Sequence, residues 1–442
     1  MMKSFAWVMS LVAFTLLLPA AADASGSAEL RCDQLLTSLR EENFGEATRH
    51  FDATVKAALS AAQLESVWKS LTAPHGKLIG WKLAQTIDAP NKEVLIHNLT
   101  FADRGTMPAT VGVSRSDNEI TDLFFKPIQP ASSAASPAYS NSGSFRSEDV
   151  IVGAGATKLP GTLTVPNGSG PFPAAILVHG SGPQNRDETI GANRPFRDIA
   201  EGLSSRGVMV LRYDKRTYAG LIVDPQNVNV DVEVIDDAVA AVKFLRTRRD
   251  VASDRIFVIG HSLGAYLAPE IALKSKPTAG IVLLAPMGRK LPEVIVEQTR
   301  FLGQGSPDAV AEIERKANLL SSHKMPQTER FLGAPASYYY DLDARDEVAI
   351  ARSLDEPILI LHGGRDYQVI DKDIERWERG LSGRATVKVK KFPSLNHLFI
   401  KGEGKPSPSE YETPGNVDVA VISAMVDFIA GASGGQGSSG SR

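Results

Sequence analysis

The sequence predicts the α/β fold class: a large domain with a mostly parallel sheet covered by helices, preceded by a small α+β domain. Two observations lead to this prediction. Between residues 145 and 430, short β-branched apolar runs alternate with amphipathic helical segments, which is typical of a parallel sheet buried on both faces. Before residue 128, helical periodicity comes first and strand-like runs follow, as in α+β units. A chain of 442 residues has room for both domains.

The small domain is predicted over residues 25–128. Apolar side chains recur at helical spacing between Leu35 and Leu71. Strand-like runs separated by Gly, Pro, Asn and Asp follow at Lys77–Thr86, Glu93–Phe101, Ala109–Ser114 and Ile120–Pro127. Residues 129–144 are rich in Ser, Ala and Pro and hold almost no bulky apolar side chain. They predict a linker, because such a stretch cannot bury enough surface to offset its ordering entropy.

The large domain is predicted over residues 145–430 and begins with a hairpin at Asp149–Val165. Buried strands are predicted at Ala174–His179, Val208–Tyr213, Arg255–Gly260, Gly280–Ala285, Pro357–His362 and Thr386–Phe392. Amphipathic helices are predicted at about Pro195–Ser205, Val232–Thr247, Leu263–Lys274, Asp371–Leu381 and Val417–Ile429. The Gly- and Ser-rich residues 431–442 predict a flexible tail.

One stretch of the large domain interrupts this alternation. Between Pro286 and Leu354 no strand is predicted. Helical segments are predicted there at Glu293–Phe301, Pro307–Leu320 and Gln327–Leu332, and three consecutive tyrosines follow at 338–340. We interpret residues 287–353, approximately, as a helical lid inserted above the strand ends.

The first residues have the pattern of a secretory signal peptide. Lys3 precedes the apolar run Phe5–Leu18, and small residues follow it up to Ala24, with predicted cleavage after Ala22 or Ala24. The alternative is a membrane anchor, but the run spans only about 21 Å as a helix, less than a bilayer core of roughly 30 Å. We therefore expect residues 1–24 to be removed, the protein to be periplasmic or secreted, and the mature form to have no stable membrane anchor.

Composition excludes several classes of partner. The formal net charge of −3 gives no electrostatic footprint for nucleic acid. Cys32 is the only cysteine, so no intramolecular disulfide can form. No Cys/His cluster has metal-ligand spacing, so no metal and no cofactor are predicted. No oligomeric state is predicted.

The chemistry is predicted from the motif Gly260-His261-Ser262-Leu263-Gly264, which lies directly between a buried strand and a helix. In a G-x-S-x-G turn the serine occupies a strained strand-to-helix corner that exposes its hydroxyl, and the glycines leave room for that corner. The alternative is a glycine-rich turn without a catalytic role. The position between strand and helix favours Ser262 as a nucleophile in an α/β-hydrolase fold.

A serine nucleophile needs a histidine base, and in this fold the order along the chain is Ser, acid, His. Three histidines follow Ser262. His323 lies in the lid without a preceding strand, and His362 ends a strand as a packed neighbour of the acid. His397 lies in the turn between the last predicted strand and the last helix, so we predict His397 as the base, the alternative being a loop histidine without a role.

Asp366 is the predicted acid because it follows a strand end, where open α/β sheets place their sites. Asp371 and Asp373 are alternatives, but they fall in the first turn of a helix, where acidic residues act as caps. The oxyanion hole is predicted to use the backbone N–H groups of Leu263 and Ser181, with Gly182 as an alternative to Ser181. His179 is interpreted as a hydrogen-bonded support of that glycine-rich loop.

Several segments resemble the bacterial EstD-type esterases of the α/β-hydrolase superfamily: HGSGPQNRDETI at 179–190, NRPF at 193–196, LRYDKRT at 211–217, LPGTLTVP at 159–166 and GGRDYQV at 363–369. The preceding unit is similar, more loosely, to a small accessory domain of unknown function that often precedes such hydrolases. The resemblance implies carboxylesterase activity on small-molecule esters, with Ser262, Asp366 and His397 as the triad. It also suggests that residues 186–188 and 213–216 form structural loops around the site, which we interpret as salt-bridged scaffold.

The predicted reaction is two-step acyl transfer on short or medium acyl esters, with the lid shaping the acyl pocket. Peptides, amides or thioesters are alternative substrates for the same residues. A non-enzymatic alternative is an envelope ligand-binding protein whose hydrolase domain is a relic.

Overall fold

The computed structural model describes residues 24–432, apart from 74, 90, 104–105, 126–133, 156, 220, 222–227 and 303–306. Of the predicted signal peptide only Ala24 is described, and residues 433–442 of the predicted tail also lie outside the described residues. The chain divides into two units, Met1–Ile128 and Gln129–Arg442.

The first unit packs short helices on an antiparallel sheet. Its helices are α1 (Ala24–Arg40), α2 (Phe44–Ala47), α3 (Ala53–Ala58) and α4 (Ala61–Thr72). Its sheet has the order β1 (Leu78–Ala89), β2 (Lys92–Phe101), β3 (Thr106–Ser114) and β4 (Ile120–Phe125), with antiparallel neighbours. Ser60 begins α4 with a capping box to Gln63. Leu36, Phe51 and Leu99 are fully buried between helices and sheet, which confirms the predicted small α+β domain.

The second unit is built on an eight-stranded sheet. Its strands are β5 (Phe145–Val152), β6 (Leu159–Pro166), β7 (Phe172–Val178), β8 (Met209–Tyr213), β9 (Val251–His261), β10 (Gly280–Leu284), β13 (Ile358–Gly363) and β14 (Val387–Phe392). A separate hairpin is formed by β11 (Arg330–Phe331) and β12 (Ala334–Pro335). The order is β14-β13-β10-β9-β7-β8-β6-β5. β6 is antiparallel to both of its neighbours, β5 and β8, and the other neighbouring strands pair in parallel, so the predicted hairpin and the mostly parallel sheet are confirmed.

Helices flank this sheet. In the body of the unit they are α5 (Pro195–Ser204), α6 (Arg216–Ala219), α7 (Asp236–Arg246, preceded by a π-helical turn at Asp231–Ile235), α8 (Leu263–Lys274), α13 (Asp371–Gly380) and α14 (Val419–Gly431). The central strands are buried along their whole length, as β10 and β13 show, because helices shield both faces. Among the described helices, none is long and apolar enough to cross a membrane.

The insertion before β13 contains α9 (Leu291–Leu302), α10 (Pro307–Ser321), α11 (Ala336–Asp343) and α12 (Glu347–Ser353). The predicted helix at Gln327–Leu332 is wrong, because a hairpin of β11 (Arg330–Phe331) and β12 (Ala334–Pro335) occupies this place. Leu332 and Gly333 both have positive φ, the backbone of a tight hairpin turn, which ends any helical run. The three tyrosines at 338–340 lie on α11.

The predicted linker differs from the structure in its second half. Residues 134–144 pack on the second unit, where the hydroxyl of Tyr139 donates to the carbonyl of Val417 at 2.7 Å. The amide of Asn141 donates to the hydroxyl of Ser205 at 2.8 Å. Tyr139 is a large side chain in an otherwise small-residue stretch, and its burial against Gly202 fixes this segment.

Candidate active site

The turn at Ser262 is strained. β9 ends at His261, α8 begins at Leu263, and Ser262 between them has φ +53° and ψ −115°. A positive φ is unfavourable for a side chain with a Cβ and persists only where the surrounding structure imposes it. Here the amide of Ser262 donates to the carbonyl of Leu284 on β10 at 2.8 Å, which ties the corner to the sheet.

The two motif glycines are required by close packing. A Cβ on Gly260 would overlap the backbone of Gly264, and a Cβ on Gly264 would overlap the carbonyl of Val178 at the end of β7. Because α8 can begin this close to the sheet only without those side chains, the motif spacing predicted from the sequence has a direct steric cause.

Asp366 and His397 lie together. Asp366 follows β13 and His397 follows β14, two adjacent parallel strands, so their loops meet at the same edge of the sheet. His397 Nδ1 is 2.6 Å from Asp366 Oδ2, and both side chains are buried. The other carboxylate oxygen of Asp366 accepts the amides of Gln368 and Val369, at 2.7 Å and 2.9 Å. Three bonds therefore fix the carboxylate and, through it, the imidazole.

The loop of His397 adjoins the corner of Ser262 through His261. The Nε2 of His261 lies 3.0 Å from the carbonyl oxygen of His397, and the two imidazole rings are 4.6 Å apart. The Ser262 hydroxyl and His397 Nε2 share no hydrogen bond in the described part of the chain. Contacts of this kind often tighten only in a complex with substrate.

The glycine-rich loop after β7 lies beside Ser262. A Cβ placed on Gly180 would be 3.2 Å from the Cβ of Ser262. Within the described residues, the backbone amides of Ser181 and Leu263 donate no hydrogen bond. Both predicted oxyanion donors are therefore available to a ligand, whereas the amide of Gly180 is engaged by Glu188.

The alternative histidines and acids have other partners. His362 is buried with Nε2 3.4 Å from Asp371, and His323 is exposed and bonds to Asp343. Asp373 accepts the amide of Ile370 at the start of α13 and pairs with Arg289, as a helix-capping residue would.

The neighbouring charged loops are held by buried or half-buried ion pairs, as interpreted from the sequence: Arg186 with Asp214, Arg212 with Asp187, Lys215 with Glu233, and Arg216 with Asp237. His179 Nε2 lies 3.0 Å from the carbonyl of Asn185, so His179 supports the glycine-rich loop.

Glu188 is a residue whose importance the sequence analysis missed, because it was assigned to the scaffold. It is 1% exposed and contacts both the glycine-rich loop and His261. Burial, the largest single influence, would raise the pKa of Glu188, but the interactions with His261, the charge of His179 and the bond from the Gly180 amide together hold the pKa below its ordinary value. Likewise, burial opposes protonation of His261, but Glu188 raises its pKa. A histidine directly before the nucleophile was the available signal.

The insertion contacts the acid loop. The Nε2 of Gln298 on α9 donates to the carbonyl of Gln368 at 3.1 Å, and the ring of Phe301 stacks on Tyr367 at 4.9 Å. Tyr367 directly follows Asp366, so α9 covers the loop that carries the acid. Within the described chain, no group of three or more His, Cys, Asp or Glu side chains is arranged to hold a metal ion.

The chain is similar to known α/β-hydrolases and esterases. A family model described as "Alpha/beta hydrolase family" matches residues 175–402. The protein named Esterase EstD, from Thermotoga maritima, is 46% identical over 398 residues, which cover 88% of this chain and 92% of that protein. An esterase structure from Pyrococcus furiosus has 20% identity and a TM-score of 0.43 over 66% of this chain and 92% of that one. Est1E from Butyrivibrio proteoclasticus has 17% identity and a TM-score of 0.45 over 64% and 98%.

A strained serine corner at the carboxyl end of a central parallel strand is the mark of the α/β-hydrolase class. Both the family model and the identity to Esterase EstD over most of each chain point the same way. The chain belongs to the α/β-hydrolase family, among its EstD-type esterases.

Proposed function

We propose that Ser262 is the nucleophile, His397 its general base, Asp366 the orienting acid, and the amides of Leu263 and Ser181 the oxyanion hole. The observation that carries this proposal is the buried 2.6 Å contact of His397 with Asp366 in loops beside the strained corner of Ser262. The free amides of Ser181 and Leu263 support it.

The reaction is carboxylic ester hydrolysis. The identity of 46% to Esterase EstD extends over most of both chains, and the protein is accordingly a carboxylesterase that acts on small-molecule esters. The assignment of chemical steps to individual side chains is ours.

In the first step, His397 takes the proton of the Ser262 hydroxyl as the hydroxyl attacks the ester carbonyl. The oxyanion that forms accepts hydrogen bonds from the two amides. His397 then protonates the leaving alcohol, and water repeats the sequence to release the acid. Asp366 fixes the imidazole tautomer and stabilises its cation.

Ser262→Ala tests the nucleophile. We expect kcat/KM for nitrophenyl acetate and butyrate to fall by more than about 10⁴-fold, because the acyl-enzyme cannot form. Labelling by a fluorophosphonate probe should be lost as well. The matched control is Ser275→Ala, which replaces a buried serine at the other end of α8. This variant should keep both the esterase activity and the labelling. Full activity of Ser262→Ala would refute the proposal.

We also propose that the protein is exported and that residues up to Ala22 or Ala24 are removed, on the basis of Lys3, the apolar run and the small residues after it. Mass spectrometry of the protein recovered from a bacterial periplasm or medium should give an N-terminus at Asp23 or Ser25. Recovery only from the cytoplasm with Met1 intact would contradict export.

A further inference from the structure

Glu188 and His261 form a second carboxylate–histidine pair beside the candidate triad. Glu188 Oε2 lies 2.9 Å from His261 Nδ1, at ion-pair distance but without the alignment of a hydrogen bond. On its other side, His261 Nε2 contacts the carbonyl oxygen of His397 at 3.0 Å. Glu188 Oε1 accepts the amide of Gly180 at 2.7 Å. The pair thus joins the glycine-rich loop to the loop of the base.

The contacts of His261 favour an imidazolium when Glu188 is ionised. The carbonyl of His397 can only accept, so Nε2 must carry a proton. Nδ1 faces a carboxylate, which would repel an unprotonated nitrogen. Asp366 adds further negative charge, the ring of His397 lies 4.6 Å away, and the rings of Phe196 and Phe399 also contact that of His261. The raised pKa of His261 agrees with this reading of the geometry.

The Gly180–Ser181 peptide is held on its carbonyl side as well. Lys215 Nζ donates to the carbonyl of Gly180 at 2.9 Å and to that of Gly182 at 3.1 Å. Lys215 is itself buried and paired with Glu233 at 2.7 Å. In a trans peptide the C=O and the following N–H point in opposite directions, so a fixed Gly180 carbonyl also fixes the direction of the Ser181 amide.

We propose that Glu188 and His261 are positioning residues for ester hydrolysis: Glu188 holds Gly180 so that the Ser181 amide faces the developing oxyanion, and His261 couples that loop to His397. The inference rests on the proposed function, since it assumes chemistry at Ser262. Neither side chain exchanges a proton with the substrate, because Nδ1 of His261 faces Glu188, Nε2 contacts the carbonyl of His397, and Glu188 is buried.

Glu188→Ala is the main test, with every rate divided by the number of sites that a fluorophosphonate probe titrates. Glu188→Ala removes the anchor on the N–H side of Gly180 and leaves the Lys215 bond to its carbonyl, so the 180–181 peptide is held on one side only and the Ser181 amide is directed less firmly. We expect kcat per labelled site to fall by about 100-fold with KM little changed, because a small misplacement of a catalytic group typically lowers the rate by about this factor. Glu188→Gln keeps an acceptor for Gly180 and should give a kcat between wild type and Glu188→Ala.

Glu347→Ala is the control for loss of a buried glutamate, because Glu347 is also a fully buried glutamate of the second unit but contacts Glu270 rather than these loops. It should lower stability and leave kcat per labelled site unchanged. A merely structural role of Glu188 would give the same result as this control. A per-site kcat of Glu188→Ala within about threefold of wild type would overturn the proposal.

Nitrogen NMR of the histidines provides a readout that does not depend on the alanine variant. A pH titration of the His261 signals, assigned by their loss in His261→Gln, should give a midpoint above 6.5 in the wild type and a lower midpoint in Glu188→Gln. A wild-type midpoint at or below 6.5 would overturn the proposal. Failure of the proposed function itself would be seen in other results: an active Ser262→Ala variant, or a wild-type protein without esterase activity.

Discussion

In the described part of the second unit, two buried carboxylate–histidine pairs have adjoining rings, and they differ in what the second ring nitrogen contacts. In the pair of Asp366 and His397, Nδ1 is held by the carboxylate and Nε2 bonds to no described residue. In the pair of Glu188 and His261, one nitrogen faces the carboxylate and the other is used by the His397 carbonyl.

The difference shows which pair can perform acid–base chemistry. A general base must keep one nitrogen available to accept a proton, and only His397 does so. His261 has both nitrogens engaged and a raised pKa, so it is suited to holding a position rather than to exchanging protons. The carboxylates differ in the same sense: two amides and an imidazole bind Asp366, whereas Glu188 divides its oxygens between a loop amide and a ring.

Replacing the two histidines one at a time should separate the roles most strongly. His397→Ala removes the base, and we expect kcat/KM for nitrophenyl butyrate to fall by at least about 10⁴-fold. His261→Ala removes only a coupling between loops and should cost about 100-fold. The rates are compared in the folded variants at pH 7.5.

His362→Ala is the control for loss of a buried imidazole near Asp366 and should keep most of the activity. If His362→Ala alone inactivates a well-folded enzyme, the assignment of His397 is wrong. Equal losses in His397→Ala and His261→Ala would erase the distinction between the two pairs.

The pattern of the sequence predicted the parts of this site that depend on local structure. Ser262 is set by a five-residue motif whose glycines have immediate steric neighbours, and Asp366 and His397 follow strands that β-branched runs reveal. The parallel sheet brings their loops together, so a position along the chain is enough to predict a place in the fold.

The parts that the sequence did not predict depend on tertiary contacts. The role of Glu188 requires residues 180, 188, 261 and 397 to meet, which no local period encodes. The segment around Tyr139 was assigned to a linker because its composition is polar and small, yet one aromatic ring packs it on the second unit. A helix is predicted where the hairpin at 330–335 lies. The turn of this hairpin depends on positive φ angles at Leu332 and Gly333, and the spacing of apolar residues does not reveal those angles.

The smallest expected effect is on the pH dependence of the free energy of unfolding. This measurement tests whether Glu188 and His261 are charged, and it does not depend on catalysis. The pKa of folded His261 lies above its ordinary value of 6.5, so its stabilising contribution is complete below pH 6.5 and is lost as the pH rises through the raised pKa. The pKa of Glu188 lies below 4.5, so its contribution is complete above pH 4.5 and is lost as the pH falls. Together they predict the greatest stabilisation by the pair between these two pH values.

Glu188→Gln should therefore lower the free energy of unfolding most between pH 4.5 and 6.5, by about 3 kcal/mol, since it leaves one member of a buried ion pair without its partner. The difference should shrink towards alkaline pH, where wild-type His261 also loses its charge. Urea unfolding followed by hydrogen exchange in peptides of residues 129–442 measures this separately from the first unit. If the loss of unfolding free energy in Glu188→Gln stays constant from pH 5 to pH 10, Glu188 stabilises the fold through packing and its bond to Gly180 alone. The second pair would then not be an ion pair, which contradicts the comparison made above.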